Sequence, residues 1–249
     1  LSSPGNNLPQ AKSNSATVSS SSYGYFGCGF FTPPFTYIDT ITRFDLSSET
    51  FSAPGNNLPQ ARNGLAAVSN NSYGYFGAGY NYPPPSGPAV YYNTVDRIDF
   101  SSETTSAPGN NLPQARNSLA AVSSDSYGYF GGGNSPSYVS TVDRIDFSNE
   151  TTSAPGNNLP EARNSLAAVS SSSYGYFGGG FSTPPATYYK AIDRIDFFSE
   201  TVSAPGNNLS QRRTALAATS GGASQRIKGS RTYGYFGGGF APPYVSTID

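Results

Sequence analysis

The chain has 249 residues, of which only 12% are charged, and its formal net charge at pH 7 is −1. It therefore lacks the concentrated positive charge that attracts nucleic acids, and we expect no nucleic-acid partner. No apolar run approaches the length of a membrane span, so we expect no membrane insertion. The sequence has no His and a single Cys, which removes the residue types of most zinc and haem sites and of Ser/His/Asp triads. We expect no cofactor, no metal site and no catalytic residues.

One repeated unit accounts for the whole sequence. The motif Tyr-Gly-Tyr-Phe-Gly occurs five times, and each copy follows a Pro-Gly-Asn-Asn-Leu segment. Successive copies start 50, 54, 47 and 59 residues apart, at Tyr23, Tyr73, Tyr127, Tyr174 and Tyr233. We predict a single repeat domain over 1–249, with units of about 1–51, 52–105, 106–152, 153–202 and 203–249. Because the sequence begins and ends within a unit, we expect it to be part of a longer polypeptide.

Each unit contains four short predicted strands, which are clearest in the third unit. Residues 118–122 predict a small apolar strand, and the polar residues 123–126 predict a hairpin turn. The aromatic stretch 127–132 predicts a second strand, and 141–147 predict a third. The polar residues 148–152 then predict a turn into a short outer strand.

Alternation along the second strand places Tyr127 and Tyr129 on one face and Gly128 and Phe130 on the other. Both faces carry an aromatic ring, so we predict that this strand is buried on both sides.

The connection between units has the sequence of a type II turn. Pro155 and Gly156 occupy its two central positions, which require a fixed negative φ and then a positive φ. The turn leads directly into the next unit.

The units differ at three places. The first unit has Lys12 where later units have Arg62, Arg116 and Arg163. The second has the longest loop between its second and third strands, and this loop contains three prolines at 83–85. The fifth has a basic, Gly-rich insertion at 221–231, which we expect to form a mobile hairpin loop.

Gly and Pro punctuate every unit and no long window has helical spacing of apolar residues, so we predict an all-β fold. A long repeat period with one four-stranded meander per unit favours a β-propeller of five units. A β-solenoid with unusually long rungs is the alternative.

The units resemble the kelch family. The resemblance rests on Arg116 followed by Ala120 and Ala121, on the aromatic strand ending in a diglycine at 129–132, and on the strand and polar turn at 142–151. It implies a kelch-like β-propeller. The tryptophan that ends the family's motif is absent, and Phe51, Thr105, Thr152 and Val202 stand where it is expected, so we expect Tyr and Phe of the second strand to replace its packing.

The near-identical copies of Tyr-Gly-Tyr-Phe-Gly-Gly-Gly and Val-Asp-Arg-Ile-Asp-Phe also resemble repeat arrays in virion structural proteins of marine phages that infect cyanobacteria. This resemblance implies a virion or extracellular location.

The recurring Asp-Arg-Ile-Asp segment has two interpretations. Arg144 and Asp146 lie on one strand face, and equivalent pairs occur in the other units, so an ion-pair ladder between units is one interpretation. A ring of aspartates that binds Ca²⁺ is the other, although neighbouring arginines oppose a cation. Cys28 stands where other units have Ala or Gly, and we interpret it as a small residue at a small position rather than as a reactive thiol.

Variation concentrates in the loops between the second and third strands. In a four-stranded meander these loops share one end of the strands, here called the rim, with the Pro-Gly-Asn-Asn turns. The rim is rich in Tyr, Pro, Ser, Gly and Asn, a composition typical of adaptable recognition surfaces, although freely varying exposed loops would look the same. The candidate ligand-binding residues are Tyr37, Tyr82, Tyr91, Tyr92, Tyr138, Tyr188, Tyr189, Tyr244, Asn57, Asn111, Asn158 and Asn208.

Three functions are compatible with these patterns. The first is a non-enzymatic structural or adhesion propeller on a virion or extracellular particle, with protein or host-surface partners. The second is a lectin with one shallow carbohydrate site per unit, built from Tyr faces and Asn amides. The third, a hydrolase or oxidase, lacks the residue types that it would need.

Overall fold

The structure, a computed structural model, describes residues 6–32, 34–82, 87–220, 234–240 and 247–249. The regular elements among them are all β-strands, which confirms the predicted all-β class. This part of the chain contains no helix that is long and apolar enough to cross a membrane. Three features considered above lie outside the described residues: the prolines at 83–85, the insertion 221–231 and Tyr244.

Each of the first four units forms an antiparallel sheet of four strands in chain order. The first comprises β1 (Ala16–Ser19), β2 (Tyr23–Phe31), β3 (Thr36–Asp45) and β4 (Phe51–Ser52). The second comprises β5 (Ala66–Ser69), β6 (Tyr73–Gly77), a small hairpin of β7 (Tyr80–Asn81) and β8 (Val90–Tyr91), then β9 (Val95–Asp99) and β10 (Thr105–Ser106). The small hairpin lies within the loop between the second and third strands of the sheet.

The next two units repeat this pattern. The third comprises β11 (Ala120–Ser123), β12 (Tyr127–Gly131), the hairpin β13 (Asn134–Ser135) and β14 (Ser137–Tyr138), β15 (Val142–Asp146) and β16 (Thr152–Ser153). The fourth comprises β17 (Ala167–Ser170), β18 (Tyr174–Gly178), the hairpin β19 (Phe181–Ser182) and β20 (Thr187–Tyr188), β21 (Ile192–Asp196) and β22 (Val202–Ser203). In the fifth unit, the described residues form a two-stranded sheet of β23 (Ala217–Ser220) and β24 (Gly234–Gly237).

The first strands of successive sheets pack side by side: β1 on β5, β5 on β11, β11 on β17 and β17 on β23. All five of these strands line one cavity of about 390 Å³. The connections between sheets have the positive φ that the predicted type II turn requires, since φ is +89° at Gly156 and between +91° and +94° at its equivalents Gly55, Gly109 and Gly206.

From the second unit onward, an aromatic ring of each unit packs on a glycine of the unit before it. A Cβ atom placed on Gly77 would lie 2.7 Å from the ring of Phe130, so only glycine allows the two sheets to come this close. The same contact joins Phe76 to Gly27, Phe177 to Gly131 and Phe236 to Gly178. Phe130 and Tyr129 are both fully buried, as the predicted two-sided burial of the second strand requires.

A second contact between units is polar. Glu103, in the turn between β9 and β10, accepts hydrogen bonds from the hydroxyl of Tyr25 (2.9 Å) and the guanidinium of Arg43 (2.9 Å). In the same turn, Phe100 stacks on Tyr25 with ring centroids 5.4 Å apart. We call such a Tyr and Arg pair a Tyr/Arg socket. The sockets Tyr75/Arg97 and Tyr129/Arg144 are filled in the same way, by Phe147 and Glu150 and by Phe197 and Glu200 respectively.

The sockets correct one prediction. Ion pairs do run from unit to unit through Arg43, Arg97 and Arg144, but the predicted aspartate partner is wrong. The carboxylate of Asp146 instead accepts hydrogen bonds from the backbone N–H and the hydroxyl of Ser148, and so caps its own turn. The partner of Arg144 is Glu200 of the next unit, at 2.8 Å.

A third contact lies within each unit and was not predicted. The guanidinium of Arg116 is fully buried and lies 2.8 Å from the carboxylate of Asp143, with a hydrogen bond to the backbone carbonyl of Phe130. Burial raises the pKa of Asp143 and lowers that of Arg116, whereas their mutual attraction acts in the opposite direction on both. Equivalent pairs join Arg62 to Asp96, Arg163 to Asp193 and Arg213 to Asp249.

In the first unit this pair is replaced by weaker polar partners. Lys12 stands for the arginine and Thr42 for the aspartate, and the ammonium group donates to the hydroxyl of Thr42 at 3.3 Å and to the carbonyl of Phe26 at 2.9 Å. The two differences therefore belong together. Because the aspartate is absent as well as the arginine, the first unit has no buried carboxylate that needs a guanidinium partner here.

The close packing between units can be tested with one glycine substitution. A Cβ on Gly128 would lie 2.5 Å from Val68, so Gly128→Ala should destabilise the chain by about 1–3 kcal/mol in urea unfolding. Gly24 holds the equivalent position in the first unit, where the nearest atom would be 4.0 Å away, so Gly24→Ala serves as the matched control and should cost little. Equal effects of the two substitutions would contradict this packing.

The filled sockets predict an alkaline unfolding transition. Burial, followed by the hydrogen bond to a glutamate, raises the pKa of Tyr25, Tyr75 and Tyr129 above that of free tyrosine. A raised folded-state pKa stabilises the fold below the unfolded value of about 10, and this contribution is lost as the pH rises above it.

We therefore expect part of the tyrosinate absorbance to appear only together with loss of the β-sheet circular dichroism signal. Tyr75→Phe should reduce the amplitude of this late phase. Ionisation of all 19 tyrosines near the ordinary value in a chain that is still folded would show that the sockets do not form.

Candidate functional site

The predicted rim has two parts, the turns between units and the loops between the second and third strands, and the structure places them side by side. The backbone N–H of Leu112, in the turn between the second and third units, donates to the carbonyl of Asn93 at 2.8 Å, and that of Arg116 donates to Tyr92 at 3.1 Å. Asn93 and Tyr92 belong to the loop that precedes β9. The same backbone pairing joins Leu159 to Ser140 and Leu209 to Lys190. The Pro-Gly-Asn-Asn turns therefore lie beside the loops that lead into the third strands.

Aromatic side chains of the first two units form one continuous cluster on this rim. Tyr37 lies within 6.0 Å of Tyr80 and 6.5 Å of Tyr82, measured between ring centroids. Tyr80 also stacks on Tyr91 at 6.1 Å. On the other side of Tyr37, Phe35 packs against it at 5.1 Å. We call this set, completed by Phe30, the first aromatic cluster.

A second aromatic cluster crosses the third, fourth and fifth units. Tyr138 contacts Phe181 at 6.1 Å, Phe181 contacts Tyr188 at 5.0 Å, and Tyr188 contacts Phe240 at 5.9 Å between ring centroids. The two clusters differ at one position. The residue that follows the glycine run is aromatic in four units, as Phe30, Tyr80, Phe181 and Phe240, but it is Asn134 in the third.

Several cluster members were missed as individual site residues. The variable loops of the first, second, fourth and fifth units are residues 30–37, 80–92, 181–189 and 240–244. They begin at Phe30, Tyr80, Phe181 and Phe240, and Phe35 lies inside the first of them. The signal that would have identified four of them is the recurrence of an aromatic residue directly after the glycine run. The contact of Phe35 with Tyr37 has no comparable signal, because the loop that holds it differs from unit to unit.

Two predicted rim tyrosines pack on the guanidinium groups of buried arginines. The guanidinium carbon of Arg62 lies 5.9 Å from the ring centre of Tyr92, and that of Arg163 lies 5.4 Å from Tyr189. These distances are within the range of a cation–π contact. Tyr92 and Tyr189 therefore cover the buried arginines, and their faces are partly used by the fold.

The predicted rim asparagines hold the turns in place. The side-chain oxygens of Asn111, Asn158 and Asn208 accept hydrogen bonds from the backbone N–H groups that start the third strands, at 3.2–3.3 Å. Asn57 instead donates to the carboxylate of Asp39 at 3.4 Å. All four side chains lie at the surface, and each one already makes a structural hydrogen bond.

Among the described residues, the first aromatic cluster contains the most exposed aromatic side chains of the rim. Phe35 is 57% exposed and Tyr82 is 49% exposed. Tyr37 lies deeper than these two rings. Burial raises the pKa of Tyr37, and burial likewise raises the pKa of Tyr91. The cluster therefore combines two exposed rings with partly buried ones, and it consists of Tyr and Phe side chains only.

The remaining candidate chemistry is weak. No group of three or more His, Cys, Asp or Glu side chains that could hold a metal ion occurs within the described ranges. Cys28 is fully buried, and burial raises the pKa of its thiol to about 11, so little reactive thiolate forms near neutral pH.

No protein-family model matches the chain, and no curated protein is significantly similar to it.

Proposed function

We propose that the chain is a non-enzymatic binding module, a kelch-like β-propeller of five units that presents its aromatic rim to a partner. The propeller is supported by the side-by-side packing of the first strands and by the single cavity that all five of them line. In a β-solenoid, the units would instead stack along a line, and first strands from the two ends of the chain would not reach one cavity.

The observation that carries the binding function is the first aromatic cluster. Tyr and Phe rings give a large rigid contact area at a low cost in side-chain entropy, and exposed apolar patches on otherwise polar surfaces mark interaction sites. Phe35 and Tyr82 supply such a patch on loops held by rigid sheets.

The proposed setting is a virion or an extracellular particle, where the module would take part in assembly or attach to a host surface. This part of the proposal rests on the resemblance of the repeats to virion structural proteins. The partner is then a protein of the same particle or a component of the host surface.

A lectin is the second candidate function. The exposed faces of Phe35 and Tyr82 are flat apolar surfaces on which a sugar ring can lie, and Asn57 is exposed in the neighbouring turn. In this case the ligand is a cell-surface glycan rather than a protein.

The rim can be tested by alanine substitution in a binding assay on a panel of bacterial cells and on a glycan array. Phe35→Ala and Tyr82→Ala should each reduce binding about tenfold or more, as expected for a binding hot spot. Phe198→Ala is the matched control, because Phe198 is 99% exposed but lies at the opposite end of the strands. It should bind like the unmodified chain.

Periodate oxidation of the cell surface separates the two candidate functions, because it destroys glycans and spares most protein epitopes. Loss of rim-dependent binding after oxidation would identify the lectin. Binding that is insensitive to both rim substitutions would contradict the proposed site.

A further inference from the structure

The aromatic side chains of the rim follow one another in a row that is interrupted at a single position. In each of the first four units, the residue after the glycine run pairs with a tyrosine on the returning side of its loop. The pairs are Phe30 with Tyr37, Tyr80 with Tyr91, Asn134 with Tyr138, and Phe181 with Tyr188. Asn134 is the one member of these pairs that is not aromatic.

The row continues from unit to unit through the returning tyrosines. The ring of Tyr37 lies 6.0 Å from that of Tyr80, and the ring of Tyr188 lies 5.9 Å from that of Phe240, measured between centroids. Tyr138 and Phe181 make the same contact at 6.1 Å. A ring in this position therefore touches one tyrosine of the preceding unit and one of its own.

The junction between the second and third units differs from the others. Here Tyr91 is the returning tyrosine, and Asn134 stands in place of the ring. The backbone N–H of Arg116 donates to the carbonyl of Tyr92 at 3.1 Å, which holds this side of the loop against the third unit. Among the described residues, no aromatic contact continues the row from Tyr91. We call the position at Asn134, between Tyr91 and Tyr138, the gap.

Two asparagine side chains lie at the gap. Asn117 and Asn134 exchange backbone hydrogen bonds of 3.0 and 2.9 Å, and residues paired in this way carry their side chains on the same face. Asn117 is 6% exposed, and Asn134 is partly exposed. The side-chain oxygens of both are buried and have no hydrogen-bond partner within the described part of the chain. Since unpaired buried polar atoms are costly, a ligand that pairs with them is favoured.

The second unit shows the closed form of this arrangement. Asn63 is the equivalent of Asn117, and its side chain also has no partner among the described residues. It is 0% exposed, however, and it stands opposite the ring of Tyr80. The third unit differs because asparagine replaces that ring.

We propose that the gap binds one pyranose ring of a glycan. The sugar ring lies between Tyr91 and Tyr138, in the position that an aromatic side chain occupies in the neighbouring units. Its C–H face packs on a tyrosine ring, and its hydroxyls form hydrogen bonds with the amides of Asn117 and Asn134. The inference rests on the lectin function described above and gives that function a specific site.

The amide pair favours a sugar over an aromatic side chain of a protein partner. An asparagine amide has both an acceptor and donors, and so does a hydroxyl group. Two neighbouring amides can therefore pair with two hydroxyls on adjacent carbons of a pyranose. A tyrosine side chain offers one hydroxyl and a phenylalanine none, and a site with buried polar groups rejects ligands that leave them unpaired.

The test is titration of the full chain with the methyl pyranosides of glucose, galactose, mannose, fucose and N-acetylglucosamine, followed by two-dimensional proton–nitrogen NMR. At least one of them should shift the side-chain amide signals of Asn117 and Asn134 in a saturable way. Asn134→Phe places in the gap the residue that Phe181 provides in the fourth unit, and it should reduce the affinity about tenfold or more. Asn134→Ala removes the amide without adding bulk and should also weaken binding.

Phe35→Ala is the matched control, because it removes an exposed rim ring that lies in the first unit, away from the gap. It should leave the pyranoside affinity unchanged. Cell binding that depends on Phe35 and Tyr82, in a chain that binds none of the pyranosides, would retain the binding function and show this inference alone to be wrong.

Three results would overturn the proposal. The first is the absence of saturable shifts with every pyranoside up to its solubility limit. The second is an affinity that neither substitution of Asn134 changes. The third is binding in the gap of p-cresol, which carries the tyrosine side chain, by a chain that does not bind the pyranosides; this would assign the gap to an aromatic side chain of a protein partner.

Discussion

The packing of one aromatic ring on one glycine sets the distance between neighbouring units. Phe130 contacts the backbone of Gly77 so closely that a single added carbon on that glycine would lie 2.7 Å from the ring. Since the contact recurs at each junction from the first unit to the fifth, it brings the sheets face to face and the first strands around one cavity. Burial of these rings supplies the apolar area that a small four-stranded unit cannot bury alone.

The polar contacts depend on that spacing. Glu150 reaches the hydroxyl of Tyr75 only because the two sheets are held close, and its backbone has φ +59°, a conformation that costs a non-glycine residue roughly 1–2 kcal/mol. A glycine would adopt this conformation more easily but has no carboxylate. Glu49 has the same backbone conformation (φ +57°), although its side chain is exposed in the first unit. The turn at Glu49 therefore has the same backbone conformation as the turns that fill the sockets, although no described Tyr/Arg socket receives the carboxylate of Glu49.

Much of the fold followed from local sequence signals. The Pro-Gly turns, the four strands per unit and the burial of Phe130 on the second strand each depend on residues that are close in the chain, so the sequence predicts them well. The partners of Arg144 and Arg116 were not predicted, because they depend on how strands far apart in sequence are placed. The rim was predicted as a region, but its aromatic contacts, and the use of Tyr92 to cover a buried arginine, depend on the three-dimensional arrangement of variable loops.

We infer that the contact between a ring and a glycine couples neighbouring units. Native-state hydrogen exchange of Phe130→Ala tests it most directly, because this substitution removes the ring from the third unit while the second unit keeps its full sequence. If the contact is shared, amides of β6 in the second unit should exchange faster, together with those of β12 in the third, while amides of the fourth unit change less. Faster exchange confined to the third unit would show that the units are stable independently and that the ring does not couple them.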